Sequence, residues 1–194
     1  PRIVVALMAG AALGLSGTIL QRILRNPLAE PATLGIASGA YLAMAIATLF
    51  FPAALAYRDW VAFAGAAAAL AAILALSWRR GLSPVTVILA GMIVSLYCGA
   101  VSAVLTLFNH DFLVGLFLWG AGHLDQQDWR EAIFLAPRLL VVGAVTLLML
   151  RPLTLLALDD AHARSLGLSL VAWRLVALTA AAALAAIVTA AVGV

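Results

Sequence analysis

The chain has 194 residues, of which 66% are hydrophobic and 10% charged, and its mean hydropathy is +1.16. A soluble domain of this length cannot place that much apolar surface inside itself, so the composition excludes an ordinary soluble fold and points to a bilayer. The net charge of +3 comes from eleven arginines, with no Lys anywhere, scattered at segment ends and not gathered into the patch that nucleic acid requires.

Taken in order, the chain resolves into about six spans of an all-α polytopic membrane bundle. Residues 3–21 are uncharged and long enough to cross roughly 30 Å of hydrocarbon. Gly10 and Gly14 form a Gly-x-x-x-Gly pair, which lets a neighbouring helix approach closely. A polar corner at Arg22–Pro31 leads into a second span, 33–51. A break at Pro52–Asp59 precedes 60–78, and Arg79-Arg80-Gly81 precedes 83–108. Phe112–Leu124 is uncharged but only 13 residues long, too short to span, and reads as a re-entrant or interfacial piece. Spans at 132–150 and 175–194 complete the set, separated by the polar stretch 151–174. The single Cys98 cannot form an internal disulfide. Starting at Pro1 without Met and stopping inside an apolar run, the sequence reads as a piece of a longer protein, with no signal peptide or lipidation signature.

Arginine placement orients the bundle. With the amino end outside, the inner side receives Arg22, Arg25, Arg79, Arg80, Arg151, Arg164 and Arg174, and the outer side Arg2, Arg58, Arg130 and Arg138. Seven against four favours this topology under the positive-inside rule. Arg138 falls near one end of its span and is expected to snorkel outward.

Two polar stretches share the inner side. The first is Arg25-Asn26-Pro27-Leu28-Ala29-Glu30-Pro31. Its two prolines forbid a continuous helix, and Asn-Pro starts a turn. Ser83, Pro84 and Val85 form another proline-broken end on the same side. The corner residues Asn26, Pro27, Leu28 and Glu30 are therefore expected beside Ser83 and Val85 at the inner mouth of a pathway. A pair of unrelated turns is the plainer reading.

The second polar stretch is Leu158–Gly167, which reads as a short helix with its own punctuation. Asp159 can N-cap it, Asp160 places negative charge in its first turn, and Gly167 suits the C′ position. Arg164, four residues after Asp160, can pair with it. Such an element either closes a loop or touches a soluble partner.

Catalytic signatures are few. A Walker A loop needs a lysine, and the chain has none. His110, His123 and His162 are too dispersed for a zinc site, and no metal site is expected. Asp159-Asp160-Ala161-His162-Ala163-Arg164 nearly matches the opening of the CDP-alcohol phosphotransferase motif. Trp173 and Ala177 occupy positions where that motif needs Gly and Asp, and no acidic residue follows Asp160. Half the metal-binding carboxylates are missing, which rejects that enzyme.

The corner Asn26-Pro27-Leu28-Ala29-Glu30-Pro31, followed by Leu34-Gly35-Ile36 and Ser38-Gly39-Ala40, closely resembles the permease subunits of binding-protein-dependent ABC importers for iron siderophores, haem and cobalamin. The resemblance covers the whole chain. Gly10–Gly17 resembles the family's second span and Ile88-Leu89-Ala90-Gly91 its fifth. Leu118-Trp119-Gly120 with Asp128-Trp129 resembles the outer segment between the fifth and sixth, and Leu158–Leu168 the cytoplasmic coupling loop. Ser83-Pro84-Val85-Thr86, Ser95–Ala100 and Leu150–Thr154 are most similar to the amino-terminal half of the double-length permease for ferric hydroxamates such as ferrichrome. The family usually carries Gly-Glu where this chain has Asp159-Asp160, a departure that suits the double-length group.

What the resemblance implies is a multi-pass subunit of a bacterial inner membrane, covering spans two to seven of a ten-span half. It would need no cofactor of its own and be no enzyme, since hydrolysis would belong to a separate cytoplasmic ABC ATPase dimer. A periplasmic siderophore-binding protein and a second permease half would be the other partners, with lipid around them and no nucleic acid. Asp159, Asp160, His162, Ala163, Arg164, Leu166 and Gly167 would meet the ATPase, and Arg2 would meet acidic residues of the binding protein. A same-fold permease for cobalamin or haem remains open. So does a secondary transporter, although that class normally shows a mid-span ionisable residue, and no acidic residue lies mid-span here.

Overall fold

A computed structural model describes residues 1–109, 119–122 and 129–193. These residues form helices and turns, with no strand among them, as the apolar composition demands. The helices are α1 (Arg2–Leu24), α2 (Ile36–Phe50), α3 (Arg58–Trp78), α4 (Pro84–Phe108), α5 (Arg130–Leu148), α6 (Leu150–Leu156), α7 (Asp160–Ser165) and α8 (Leu170–Val192). Short 3-10 turns at Ala32–Leu34 and Pro52–Tyr57 precede α2 and α3. Most of the expected re-entrant piece, Phe112–Leu124, lies outside the described residues. Of its Trp119–Gly122 portion, Gly120 sits against the ring of Tyr41 in α2.

The bundle is built around α8. An alanine-rich sequence, apolar on every side, suits a helix surrounded by other helices. Ala177, Ala181, Ala185 and Ala190 are all buried, and 78% of its most apolar window is covered by α1, α2, α3 and α5. Ser16 of α1 fastens to it by donating to the carbonyl oxygen of Ala181 at 2.7 Å.

The glycine-mediated helix contact is not where the Gly-x-x-x-Gly pair of α1 suggested. The inner face of α1 runs Val5, Ala9, Ala12, Ser16, Ile19 and Ile23, and Gly10 and Gly14 fall off that line and are exposed. A Cβ built on either meets nothing within 4 Å. Instead α2 and α3 touch backbone to backbone. A Cβ on Gly39 would lie 2.7 Å from the carbonyl oxygen of Gly65, and one on Gly65 would clash with the carbonyl oxygen of Gly39.

Among the described residues, five helical stretches are long and apolar enough to cross a membrane: α1, Pro52–Trp78, α4, α5 and α8. The remaining expected span, 33–51, corresponds to α2, which has 15 residues. It covers roughly 22 Å, short of the hydrocarbon thickness. The cause is the corner before it, which is set into the bundle. Leu34 lies against Gly91 and Gly35 against the backbone of Ser95, roughly 10 and 16 Å along α4 from Pro84. Gly35 has φ 71, and a Cβ there would come 2.8 Å from the Ser95 nitrogen, so both the turn and the contact require glycine.

The last span begins at Leu170, earlier than the expected 175, and Arg174 therefore lies inside a helix with only 2% of its surface exposed. The charge looked like a boundary in the sequence, but its side chain has partners, described below, that make burial tolerable. Charged contacts collect at the two ends of α3. Arg25, Gly81, Asp160 and Arg174 join at one, and Arg58, Asp59, Arg130 and Glu131 at the other.

Candidate functional site

The end that carries Asp160 is the candidate site, and α7 is its exposed element. Asp159 has the extended backbone of an N-cap, and its carboxylate accepts the backbone N–H of His162 at 2.8 Å. The same oxygen lies 2.5 Å from Nδ1 of His162. The backbone N–H of His162, and then its imidazole, hold the Asp159 carboxyl below the ordinary aspartate range. At the other end the Gly167 N–H donates to the Arg164 carbonyl at 2.9 Å and the Leu168 N–H to that of Ala163 at 3.1 Å. With Gly167 at φ 82 this is a Schellman cap, the termination expected from the sequence.

Asp160 does not pair with Arg164 as its spacing suggested. Its Oδ1 accepts from Arg25 Nη2 at 2.7 Å and from Arg174 Nη2 at 2.8 Å, while Arg164 points to the surface. Tertiary neighbours with rigid, preorganised forks outcompete a flexible pair along one short helix. Burial pushes the Asp160 carboxyl upward, but the hydrogen bonds from Arg25 and Arg174 outweigh it and leave the group below its ordinary value. Arg25 also donates through Nε to the carbonyl of Leu156 at 3.2 Å, and Arg174 reaches the carbonyl of Gly81 at 3.5 Å.

Among the residues expected to meet a partner, Ala163 is fully buried and is part of the inner face of α7, which corrects its assignment. His162, Arg164, Leu166 and Gly167 are exposed, as is Asp159, whereas Asp160 is half-buried and turned to the bundle.

The corner after α1 is a chain of local bonds. Asn26 Oδ1 accepts the Leu28 N–H at 3.0 Å, Gln21 donates to the Pro27 carbonyl at 3.1 Å, and Thr33 donates to the Glu30 carbonyl at 2.8 Å. A cleft of about 410 Å³ lies between this corner and α4, lined by Asn26, Leu28, Thr33, Ile88, Met92 and Ser95. The corner thus meets α4 deeper than Ser83 and Val85, because Leu34 and Gly35 seat it there. Ser83 instead closes its own turn on Thr86 at 2.7 Å, and Val85 is exposed.

At the opposite end Arg2 is exposed. Arg58 contacts Asp59 at 3.5 Å and Glu131 at 3.6 Å. The Arg138 guanidinium turns back toward the start of α5, donating to the Phe134 carbonyl at 2.7 Å and lying 3.7 Å above the Phe134 ring. Its direction is that of the expected snorkel.

Arg25 and Arg174 are the partners of Asp160 that sequence reasoning passed over, since it gave neither a role at this site. The signal for Arg174 was a lone arginine within an otherwise apolar run, with Asp160 the nearest acid before it.

Comparison with known proteins gives a consistent set of relatives. Residues 1–194 match the family described as the FecCD transport family. The iron(3+)-hydroxamate import system permease protein FhuB of Salmonella typhimurium is 49% identical over 195 residues, covering 100% of this chain and 28% of FhuB. The Fe(3+) dicitrate transport system permease protein FecC of Escherichia coli is 34% identical over 91% of this chain and 54% of its own. A solved structure described as an inward-facing conformation of a metal-chelate type ABC transporter superposes with a TM-score of 0.91 at 30% identity, over 100% of this chain and 62% of that one. The chain therefore spans under a third of FhuB and about half of FecC.

Proposed function

We propose, from the premise that this chain belongs to the FecCD transport family, that it forms part of the membrane channel of an ATP-driven importer for ferric hydroxamate siderophores. The observation that carries the substrate class is the much higher identity to FhuB than to FecC over nearly the same residues. The membrane is a bacterial inner membrane, and the Asp160 end is cytoplasmic, in keeping with the excess of arginine there.

On this reading α7 is the element that a cytoplasmic ATPase pair grips. It is short, capped at both ends and exposed through His162, Arg164 and Leu166. Closure of the ATPases on ATP moves α7, and the bundle tilts to open one face and close the other. A second permease half completes the pathway. The cleft between the Asn26–Pro31 corner and α4 is the inner gate, and Arg2 serves a periplasmic binding protein at the far face, its fork suited to carboxylates. The cargo iron is already held by its chelator, so the permease needs no ligands for it.

Uptake of radio-iron-labelled ferrichrome by the full-length protein, beside its ATPase and binding protein in cells lacking their own hydroxamate system, tests the proposal. Saturable ATP-dependent uptake that unlabelled ferrichrome competes away is expected. Uptake of haem or cobalamin in its place would reassign the cargo, and ion-gradient-driven uptake without ATP would reassign the class.

A further inference from the structure

We infer that Asp160 is the joint through which movement of α7 reaches the bundle, with Arg174 and Arg25 as the positioning residues that hold it. The inference rests on the reading that α7 meets an ATPase, and adds how the movement is passed on.

Several elements converge on one carboxylate. Asp160 is the first residue of α7, Arg25 caps α1, and Arg174 lies one turn into α8. Both guanidiniums bond the same oxygen, at 2.7 and 2.8 Å. Arg25 adds the end of α6 through the Leu156 carbonyl, and Arg174 adds the α3–α4 turn through the Gly81 carbonyl. Displacing α7 therefore pulls on α1, α8 and the α3–α4 turn together.

The pair is not an ordinary surface ion pair. Arg174 is 2% exposed, and its Nε has no hydrogen-bond partner. Asp160 is the one carboxylate among the described residues that it contacts. Two guanidiniums share one negative charge, so neutralising Asp160 leaves a buried arginine with no counter-charge, a costly state that reorganises whatever surrounds it.

A second observation points to the same place. Two non-glycine residues among those described have positive φ, Arg25 at 50° and Leu82 at 53°. Arg25 belongs to the cluster, and Leu82 follows Gly81, whose carbonyl Arg174 reaches. Left-handed backbone at such residues persists where surrounding contacts over-determine it, and it collects at parts that switch. A plain staple between helices needs no strained turns.

The test reconstitutes the full-length permease with its ATPase and binding protein in liposomes and measures ferrichrome imported per ATP hydrolysed. In Asp160→Asn the ratio falls about tenfold, toward the lower end of the range for coupling between sites. Asp160→Glu keeps the charge and restores part of it. Arg174→Met combined with Asp160→Asn falls no further than Asp160→Asn alone, because the two act through one contact. A merely structural staple would lower the amount of assembled transporter and its melting temperature while leaving the ratio unchanged, and that result overturns the inference. So do losses that add in the double variant. If Asp160→Asn does not assemble, Arg25→Gln carries the same test at the more exposed side of the joint, with a smaller fall expected and an unchanged ratio again overturning it. A wild-type protein that imports no chelate overturns both this inference and the importer reading. A wild type that imports, beside variants of unchanged ratio, overturns the joint alone.

Discussion

Gly167 offers a perturbation whose size can be worked from geometry. It sits at φ 82, and a Cβ added there meets nothing within 4 Å. A side chain at this position therefore costs backbone strain and no collision. For a non-glycine residue in the left-handed region the strain is about 1–2 kcal/mol, with a β-branched residue at the upper end. The strain opposes the bonds from the Gly167 and Leu168 amides that close α7. A penalty of that size shifts the balance between capped and frayed α7 by about 5- to 30-fold. If α7 passes force from an ATPase, Gly167→Val lowers substrate imported per ATP by a factor in that range. Asn tolerates the left-handed conformation, so Gly167→Asn stays near wild type and Gly167→Ala falls between. The assay is transport and hydrolysis in the same proteoliposomes, normalised to assembled protein. Normal coupling in Gly167→Val would refute the role of the cap. Equal losses in the Asn and Val variants would show that bulk at a contact surface, and not backbone geometry, is at work.

Other outcomes follow from the same structure. Cysteines at Leu28 and Ile88, in a Cys98→Ser background, should cross-link across the inner cleft to an extent that depends on nucleotide; no cross-link in any state would place the gate elsewhere. Asp160 is held below the ordinary aspartate value of 3.8, so its contribution to stability is complete above that pH and lost as pH falls through the lowered folded value. Thermal unfolding in detergent should lose stability on the acid side below about pH 4 through this group, and Asp160→Asn should flatten that limb; an unchanged acid limb would show that the carboxylate is not held as described. Arg2→Glu should weaken binding-protein association more at low salt than at 1 M, where the Debye length is roughly 3 Å; equal affinity at every ionic strength would leave Arg2 with no docking role.

Much of this was legible in the sequence, for identifiable reasons. Uncharged runs long enough to cross hydrocarbon mark helices almost irrespective of tertiary context, so α1, α3 and α4 lie within a few residues of expectation. The punctuation of α7 was equally readable, because Asp159 and Gly167 act on backbone groups two or three residues away. What could not be read depends on distant parts of the chain. The partners of Asp160 are 135 and 14 residues away, and a local rule had only Arg164 to offer. The shortness of α2 follows from Gly35 seating on Ser95, which is a fact about α4. The glycine pair that packs, Gly39 with Gly65, belongs to two helices, whereas Gly10 and Gly14 share one helix and face outward.

The alanines of α8 bear on how such a bundle can change shape at all. An alanine has no rotamer to lose or exchange, so ordering it on burial costs no side-chain entropy and its surface presents no long knob to a neighbour. Helices that interlock through branched side chains must unlock before they slide. Those that rest on methyl groups can shift by a fraction of a turn while keeping nearly all their contacts. The central helix offers such a surface where Ala177, Ala181 and Ala185 meet their neighbours, while its buried Leu178, Leu184 and Ile187 are the points that must re-pack in any displacement, and the tolerance of the alanine positions is one-sided. Trimming Ala181 or Ala185 to glycine removes a single methyl, but enlarging either to leucine jams every helix that bears on it at once.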